Sequence, residues 1–467
     1  MGQHVFSSPG FVVLSPTTVA AHLAHKIFFH PLRSFPGPWY CKASRLWYFL
    51  QVARGNINYE VRRLHDEYGE TVCIAPNELS YTTPDAWSQI YGRNVQRDGE
   101  SKPSAAGTVL PKDPIIYGAV FEHAETLVDA NGGVYAPQRH TLADAFTRKS
   151  LMSKEDTLSS YINHAIEELH KQIKTTDTVD MVSLFNNAVL DFTSKMVVGQ
   201  DLGAMNAHGT IHSSLKVLNR IIRPLVERRV ENGGIENDFV SSMMRFAKDD
   251  KDSRAKVINN ATILIAAGPL EITSWLCASV YYTLADPSTW SRVCFEIRSS
   301  AREASNLNLD LVHNMIYLKA CMDESTRMYP SMPGTLTRIV YNGGAHICGR
   351  HVPEKTVVGV NPWATYRNAN NFNQPDEFRP ERWLDENNEY ATDRRNSLQP
   401  FGYGPRKCIA NELSTMYSKL FFARLLWEFD MELQPASCDW DNQKGYLTPY
   451  IRPLWVKVTA KADRSQI

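Results

Sequence analysis

Residues 401–410 read Phe401-Gly402-Tyr403-Gly404-Pro405-Arg406-Lys407-Cys408-Ile409-Ala410. A glycine-rich turn delivers one cysteine to the start of an apolar-periodic run, Asn411 to Glu428, which predicts a helix. Backbone N–H groups at such a place stabilise negative charge, so Cys408 is positioned to sit as a thiolate. A thiolate pushes electron density onto heme iron and favours cleavage of an O–O bond. Phe401 is placed to cover the sulfur, Gly404 to let the backbone approach a flat macrocycle, and Arg406 to meet an anion such as a heme propionate.

The pattern resembles the heme-binding signature of cytochromes P450. Phe401, Gly404, Arg406 and Cys408 match it, and Ala410 stands where the family usually has glycine. Two further motifs follow the family's order. Glu324-Ser325-Thr326-Arg327 lies in an expected helix, Leu311 to Met328, with both charges on one face. Pro380-Glu381-Arg382-Trp383 comes next, with Trp383 in place of the usual Phe. The resemblance implies that Glu324, Arg327 and Arg382 form a buried charge triad behind the heme that locks the cysteine loop. Gln138-Arg139-His140 and Ala145-Phe146 are similar to the family's C-helix. That implies a propionate contact for Arg139, and Tyr135 takes the place of the usual Trp or His four residues earlier. Leu336-Thr337-Arg338 is similar to the strand whose arginine reaches a propionate, preceded by residues that wall the substrate pocket. The resemblance also implies the cofactors: heme b with Cys408 as axial ligand to the metal, O2, and NADPH acting through a partner NADPH–cytochrome P450 reductase.

The 50 Lys and Arg residues balance the 50 Asp and Glu, so nothing in the charge suggests nucleic acid. The hydrophobic content of 43% is ample for a large core. Eight cysteines without paired spacing suit a reducing compartment. Residues 1–30 are expected to be a weak membrane-associated segment, because Val5 to Phe29 contains Pro9 and Pro16 and falls short of twenty consecutive apolar residues. A proline-rich hinge follows at 31–38, then a single catalytic domain at 39–467. The hinge and Ile74-Ala75-Pro76-Asn77-Glu78-Leu79-Ser80 resemble fungal microsomal members, which implies the endoplasmic reticulum membrane with the catalytic domain facing the cytosol. Periodicity predicts helices over Ala143–Lys174, Met181–Val198, Ile211–Arg229, Phe239–Ala247, Ala255–Leu284, Pro287–Glu303 and Asn411–Trp427. Strands are expected near 71–82, 336–341 and 355–361. The expected fold is mostly α with small β-sheets, the cytochrome P450 fold, with the heme between a long distal helix and the cysteine loop.

The distal helix departs from the family. Where members carry Ala/Gly-Gly-x-acid-Thr, this chain has Ala267-Gly268-Pro269-Leu270-Glu271-Ile272-Thr273-Ser274. Without a gap, Leu270 takes the acid position and Glu271 the threonine position. A one-residue bulge at Pro269, which lacks an N–H, makes Glu271 the acid and puts Ile272 at the alcohol position. The catalytic candidates are Glu271, Gly268 and Thr273. The activity implied is a monooxygenase that oxidises a hydrophobic small molecule, a fungal secondary-metabolite intermediate. Behind it stand oxidative coupling, desaturation, ring expansion or rearrangement without oxygen insertion, then a heme-thiolate isomerase or dehydratase, and last a heme-binding sensor. By alignment, residues 97–121, 205–229 and 330–336 shape the substrate pocket.

Overall fold

The structure, a computed structural model, describes residues 26, 28–93, 109–117, 126–206, 215–248, 250–341, 343–384, 388–446 and 448–461, without the side chains of 215–219 and 388. The expected substrate-pocket stretches at 97–121 and 205–229 therefore fall partly outside the described residues.

After a short 3-10 turn (Pro31–Ser34) and a short helix (Trp39–Ala43) come α1 (Leu46–Arg54) and α2 (Ile57–Tyr68), then a hairpin of β1 (Thr71–Ala75) and β2 (Glu78–Tyr81), and α3 (Asp85–Tyr91). Periodicity alone predicts one helix over Ala143–Lys174; instead α4 (Tyr135–Ala143) ends where it should begin, and α5 (Arg148–Met152) and α6 (Glu155–Gln172) divide the stretch. The division has a local cause. Thr147 is extended, and its hydroxyl accepts the Ser150 N–H, capping a new helix instead of continuing the old one. After β3 (Thr178–Asp180) come α7 (Met181–Val198), α8 (Leu215–Asn232), α9 (Phe239–Met244) and α10 (Lys251–Ala285). The carboxylate of Asp180 caps α7 and that of Asp250 caps α10. Next are α11 (Pro287–Ser300) and α12 (Ile316–Met328), the latter shorter than the Leu311–Met328 helix expected from sequence.

Strands β4 (Arg338–Ile339) and β5 (Val357–Val360) complete a sheet of order β1-β2-β5-β4, in which only β2 and β5 run parallel. A short helix α13 (Pro362–Tyr366), the cysteine loop, α14 (Asn411–Glu428), β6 (Phe429–Leu433) and β7 (Trp455–Ala460) follow. The last two pair with β3 in the order β3-β7-β6.

Helix α10 is the axis of the main core, which it shares with α7, α12 and α14. Among the described residues it is the one helix long and apolar enough to cross a membrane, yet most of it is buried inside the protein, as a core helix should be. It runs unbroken through Pro269, so the bulge considered from sequence is absent and the gapless spacing is the one the helix keeps.

Candidate active site

The cysteine loop folds back on itself before α14 begins. The Cys408 N–H donates to the Phe401 carbonyl at 2.7 Å, and Gly402 and Gly404 both take left-handed backbone conformations, with φ of 71° and 73°. A side chain on Gly404 would stand 2.1 Å from the Tyr91 carbonyl at the end of α3. Glycine is thus required at this position by packing against α3, a different reason from the macrocycle approach that the sequence suggested. The Phe401 ring meets the edge of Trp275 from α10, with centroids 6.0 Å apart.

Cys408 is exposed, yet burial in its surroundings pushes its thiol up to about 11. The Ala410 N–H and Arg139 work the other way and favour the thiolate, while the charge of Glu271 raises the value. Glu271 is thus near enough for its charge to be felt at the thiol.

Basic side chains collect on one side of the cysteine loop. Arg139 donates to the Lys407 carbonyl at 2.7 Å and to the Tyr135 hydroxyl at 2.9 Å. Tyr135 passes its own proton to the Pro405 carbonyl at 3.2 Å, so the pair ties α4 to the loop. Arg406 donates to the Ala130 carbonyl and lies over the Tyr135 ring. Arg338 donates to the Thr337 carbonyl and the Tyr117 hydroxyl, while its buried Nε has no partner. Lys112, which sequence reasoning missed, is nearly fully buried; its ammonium donates to the Val128 carbonyl and faces the Tyr117 ring. Burial first, then the charges of Arg338 and Arg406, push Lys112 down to about 6, and Asp129 opposes them only in part. Arg406 is likewise lowered by burial and by Arg338.

Cations crowded in a low-dielectric site without a matching carboxylate are unfavourable unless an anion joins them. An exposed cysteine, an unpartnered buried guanidinium nitrogen and a cluster of repelling cations fit a flat apolar group carrying carboxylates. Heme has that shape and charge.

The implied triad is assembled, and it has two further members. Glu324, fully buried, receives Arg327 through Nε at 2.9 Å and Nη2 at 2.8 Å, Arg382 Nε at 3.0 Å and the Arg379 N–H at 2.8 Å. Burial acts to raise the carboxyl, but Arg327 and Arg382 outweigh it and hold it below its usual range. Asp393 pairs with Arg382 on the other side, so two carboxylates balance two guanidiniums. The indole N–H of Trp383 donates to Glu324 Oε2 at 3.0 Å, a bond that phenylalanine cannot make. Nothing local in the sequence marks Asp393.

On α10, Ala267 is exposed and Ile263, Leu264, Leu270 and Glu271 are partly so, in a helix otherwise largely buried here. The spacing 263, 267, 270, 271 is one helical face. This open stripe is apolar except for Glu271. Desolvation alone pushes the Glu271 carboxyl up to about 7, and the Ser331 hydroxyl donates to its backbone carbonyl at 3.1 Å. Gly268 faces α7: a side chain there would meet Thr193 Cγ2 at 2.4 Å. Thr273 is buried on the other side of the helix, and its hydroxyl has no partner.

A cysteine at the end of a glycine-rich loop, a cluster of cations beside it and an open apolar stripe on α10 are the arrangement that a heme-thiolate protein would need. Residues 204–454 match the family model described as Cytochrome P450. The chain is 31% identical to cytochrome P450 monooxygenase astJ of Aspergillus oryzae over 93% of each chain. It is 31% identical to cytochrome P450 monooxygenase cpaH of Aspergillus oryzae over 94% of this chain and 91% of that one. Over 97% of this chain and 98% of the relative, it is 29% identical to cytochrome P450 monooxygenase efuB of Hormonema carpetanum. The chain belongs to the cytochrome P450 family and is an oxidoreductase enzyme.

Proposed function

We propose that this enzyme is a monooxygenase that uses O2 and electrons passed from NADPH by a cytochrome P450 reductase to hydroxylate a hydrophobic small molecule of fungal secondary metabolism. The place proposed for this is the cytosolic face of the endoplasmic reticulum membrane. What supports the reading is Cys408 at the end of its glycine-rich loop, together with the open, mostly apolar stripe of α10 that carries Glu271.

When bound, heme supplies the oxidising chemistry that places one atom of O2 into an unactivated C–H bond. The residues of this chain supply the rest. Cys408 would hold the iron through its thiolate. Arg338, Arg406 and Lys112, with Arg139 beside the loop, would meet the two heme carboxylates and hold the group in place. Ile263, Leu264, Ala267 and Leu270 offer a substrate no charge, which selects apolar molecules and excludes water. Glu271 holds a proton on its carboxyl near neutral pH, because its surroundings are desolvated, and releases it toward the site.

A second reading is favoured by one observation. The open stripe carries no hydroxyl, since Thr273 turns into the core. Proton delivery then rests on Glu271 alone, which suits oxidations that insert no oxygen: desaturation, coupling or rearrangement.

The test is to delete the gene, isolate the metabolite that accumulates, and incubate it with the enzyme, reductase and NADPH under heavy-isotope O2. One labelled oxygen in the product is the expected outcome. An unlabelled product that still requires O2 and NADPH supports the second reading, and conversion without NADPH overturns both.

A further inference from the structure

Two strands, Ala345–Ile347 and Arg350–Val352, form a hairpin joined by Cys348 and Gly349. Both turn residues are left-handed, with φ of 50° and 74°, as the favoured two-residue turn requires. Gln89 of α3 fixes the turn by accepting the Cys348 N–H at 2.6 Å. One face of the hairpin carries Ala345, Ile347 and Val352 into the core beneath it. Arg350 shares that face: its guanidinium lies 4.1 Å from the centre of the Phe35 ring and donates to the Ser34 carbonyl at 2.9 Å. The hairpin thus holds the proline-rich stretch at 31–38 against the domain.

The other face of the two strands carries His346 and His351, which are direct partners across the ladder. A two-residue turn makes the pair beside it, Ile347 and Arg350, the hydrogen-bonded one. The next pair out is of the non-hydrogen-bonded kind, whose side chains stand closer. The imidazole centroids are 5.9 Å apart, with His346 half-buried and His351 exposed. Gly344 makes room for the second ring, since a side chain there would stand 2.5 Å from His351 Cε1. Two imidazoles that share one metal ion through nitrogens about 2 Å from it have centroids roughly 5 Å apart, so a side-chain movement of about 1 Å closes the site. Each ring has a second nitrogen, which can keep a hydrogen bond to the protein while the first ligates. Among the described residues no third His, Cys, Asp or Glu joins them, which leaves the other coordination positions to water.

We propose that His346 and His351 together bind a divalent transition-metal cation, Cu2+ most tightly, and that the ion clamps the hairpin. Imidazole suits copper, nickel and zinc, and Cu2+ binds a given nitrogen site most tightly among the first-row divalent ions. The Arg350 charge lies on the opposite face, over Phe35, and does not compete for the same space. The pair stands on different elements from the cysteine loop and α10, so the metal has no part in the oxidation proposed above.

The experiment titrates Cu2+ into the full-length heme-loaded enzyme, in a buffer that does not chelate copper, and follows backbone hydrogen–deuterium exchange over 345–352. Opening of the hairpin breaks the chelate. With free Cu2+ at about a hundred times its half-saturating concentration, exchange at Ile347 and Arg350 should therefore slow by up to about a hundredfold. His346→Gln and His351→Gln should each raise the half-saturating concentration at least about tenfold, since even the hydrogen-bond partners of a ligand are worth that much in affinity. The heme spectrum should be unchanged in both variants. Slowed exchange in wild type with the same half-saturation in either variant would mean a contact through one imidazole and would overturn the proposal. Copper that binds without slowing exchange over 345–352, or that does not bind, overturns it as well. That wild-type exchange result decides the matter even if a variant fails to fold.

Discussion

Replacing Trp383 with phenylalanine, the residue usual in the family, should weaken this protein. The indole N–H donates to Glu324 Oε2 at 3.0 Å inside a fully buried charge cluster. A hydrogen bond to a charged group contributes about 1.5–3 kcal/mol. Oε2 also receives Arg327 Nε at 2.9 Å, so the carboxylate is not left bare, which places the cost toward the low end, about 1–2 kcal/mol. That is roughly a five- to thirtyfold rise in the unfolded fraction. Glu324→Gln is the reference. It leaves Arg327 and Arg382 with one carboxylate, Asp393, between them, and losing one partner of a buried ion pair costs about 3–5 kcal/mol. Urea denaturation of the heme-loaded enzyme, followed by heme absorbance and far-ultraviolet circular dichroism, gives both values. A Trp383→Phe protein within about 0.5 kcal/mol of wild type, the range of an uneventful surface change, would refute the claim that the indole N–H supports the carboxylate.

Three other outcomes are expected. The Glu271 carboxyl is raised to about 7, so its proton is present below that pH and lost above it; product formed per NADPH should fall as pH rises through about 7, and Glu271→Gln should abolish that limb. Lys112→Met should speed transfer of heme to apomyoglobin, because an ammonium group that would meet the heme carboxylates is gone. In heme-free protein it should flatten the gain in stability between about pH 6, where folded Lys112 loses its proton, and the ordinary lysine range, where the unfolded chain does. Gly268→Ala should cost about 1–3 kcal/mol by thermal or urea denaturation, since its methyl meets Thr193 Cγ2, and Thr193→Ser, which removes that carbon, should recover most of the loss.

What the sequence disclosed was the chemistry held within short spacings. The turn from Phe401 to Cys408 and the i to i+3 pair Glu324 and Arg327 are local, so residue type and interval suffice to place them. Arg382 needed the family's order to be joined to them. Lys112 and Asp393 were not legible, because each acquires its role from a tertiary neighbour: Lys112 through a lone bridge to Arg338, Asp393 through a turn that returns to Arg382. A buried cationic lysine and a surface one look alike in sequence. The break between α4 and α6 was more accessible. Thr147 followed by Ser150 is a capping arrangement that competes with helical periodicity, and the cap prevailed.

The distal helix shows why a proline can stand beside a catalytic candidate without breaking the helix. Pro269 has no N–H for the Ile265 carbonyl, which invites a bulge. Helix α7 supplies part of the remedy: the Thr193 hydroxyl lies 3.3 Å from that carbonyl, although its proton is shared with the nearer Val189 carbonyl at 2.8 Å. Gly268 is what lets α7 come so close, since any side chain there would strike Thr193. Proline, glycine and threonine thus act together, and the helix keeps its ordinary spacing across the site. That spacing has a chemical consequence. It turns Ile272 and Thr273 into the core and leaves Leu270 and Glu271 on the open stripe with Ala267. The group at the family's alcohol position is then a carboxyl, and a carboxyl keeps a proton near neutral pH only where water is scarce. Ile263, Leu264 and Leu270 share that stripe, so the face proposed to receive an apolar substrate is also the one on which burial raises the proton affinity of Glu271.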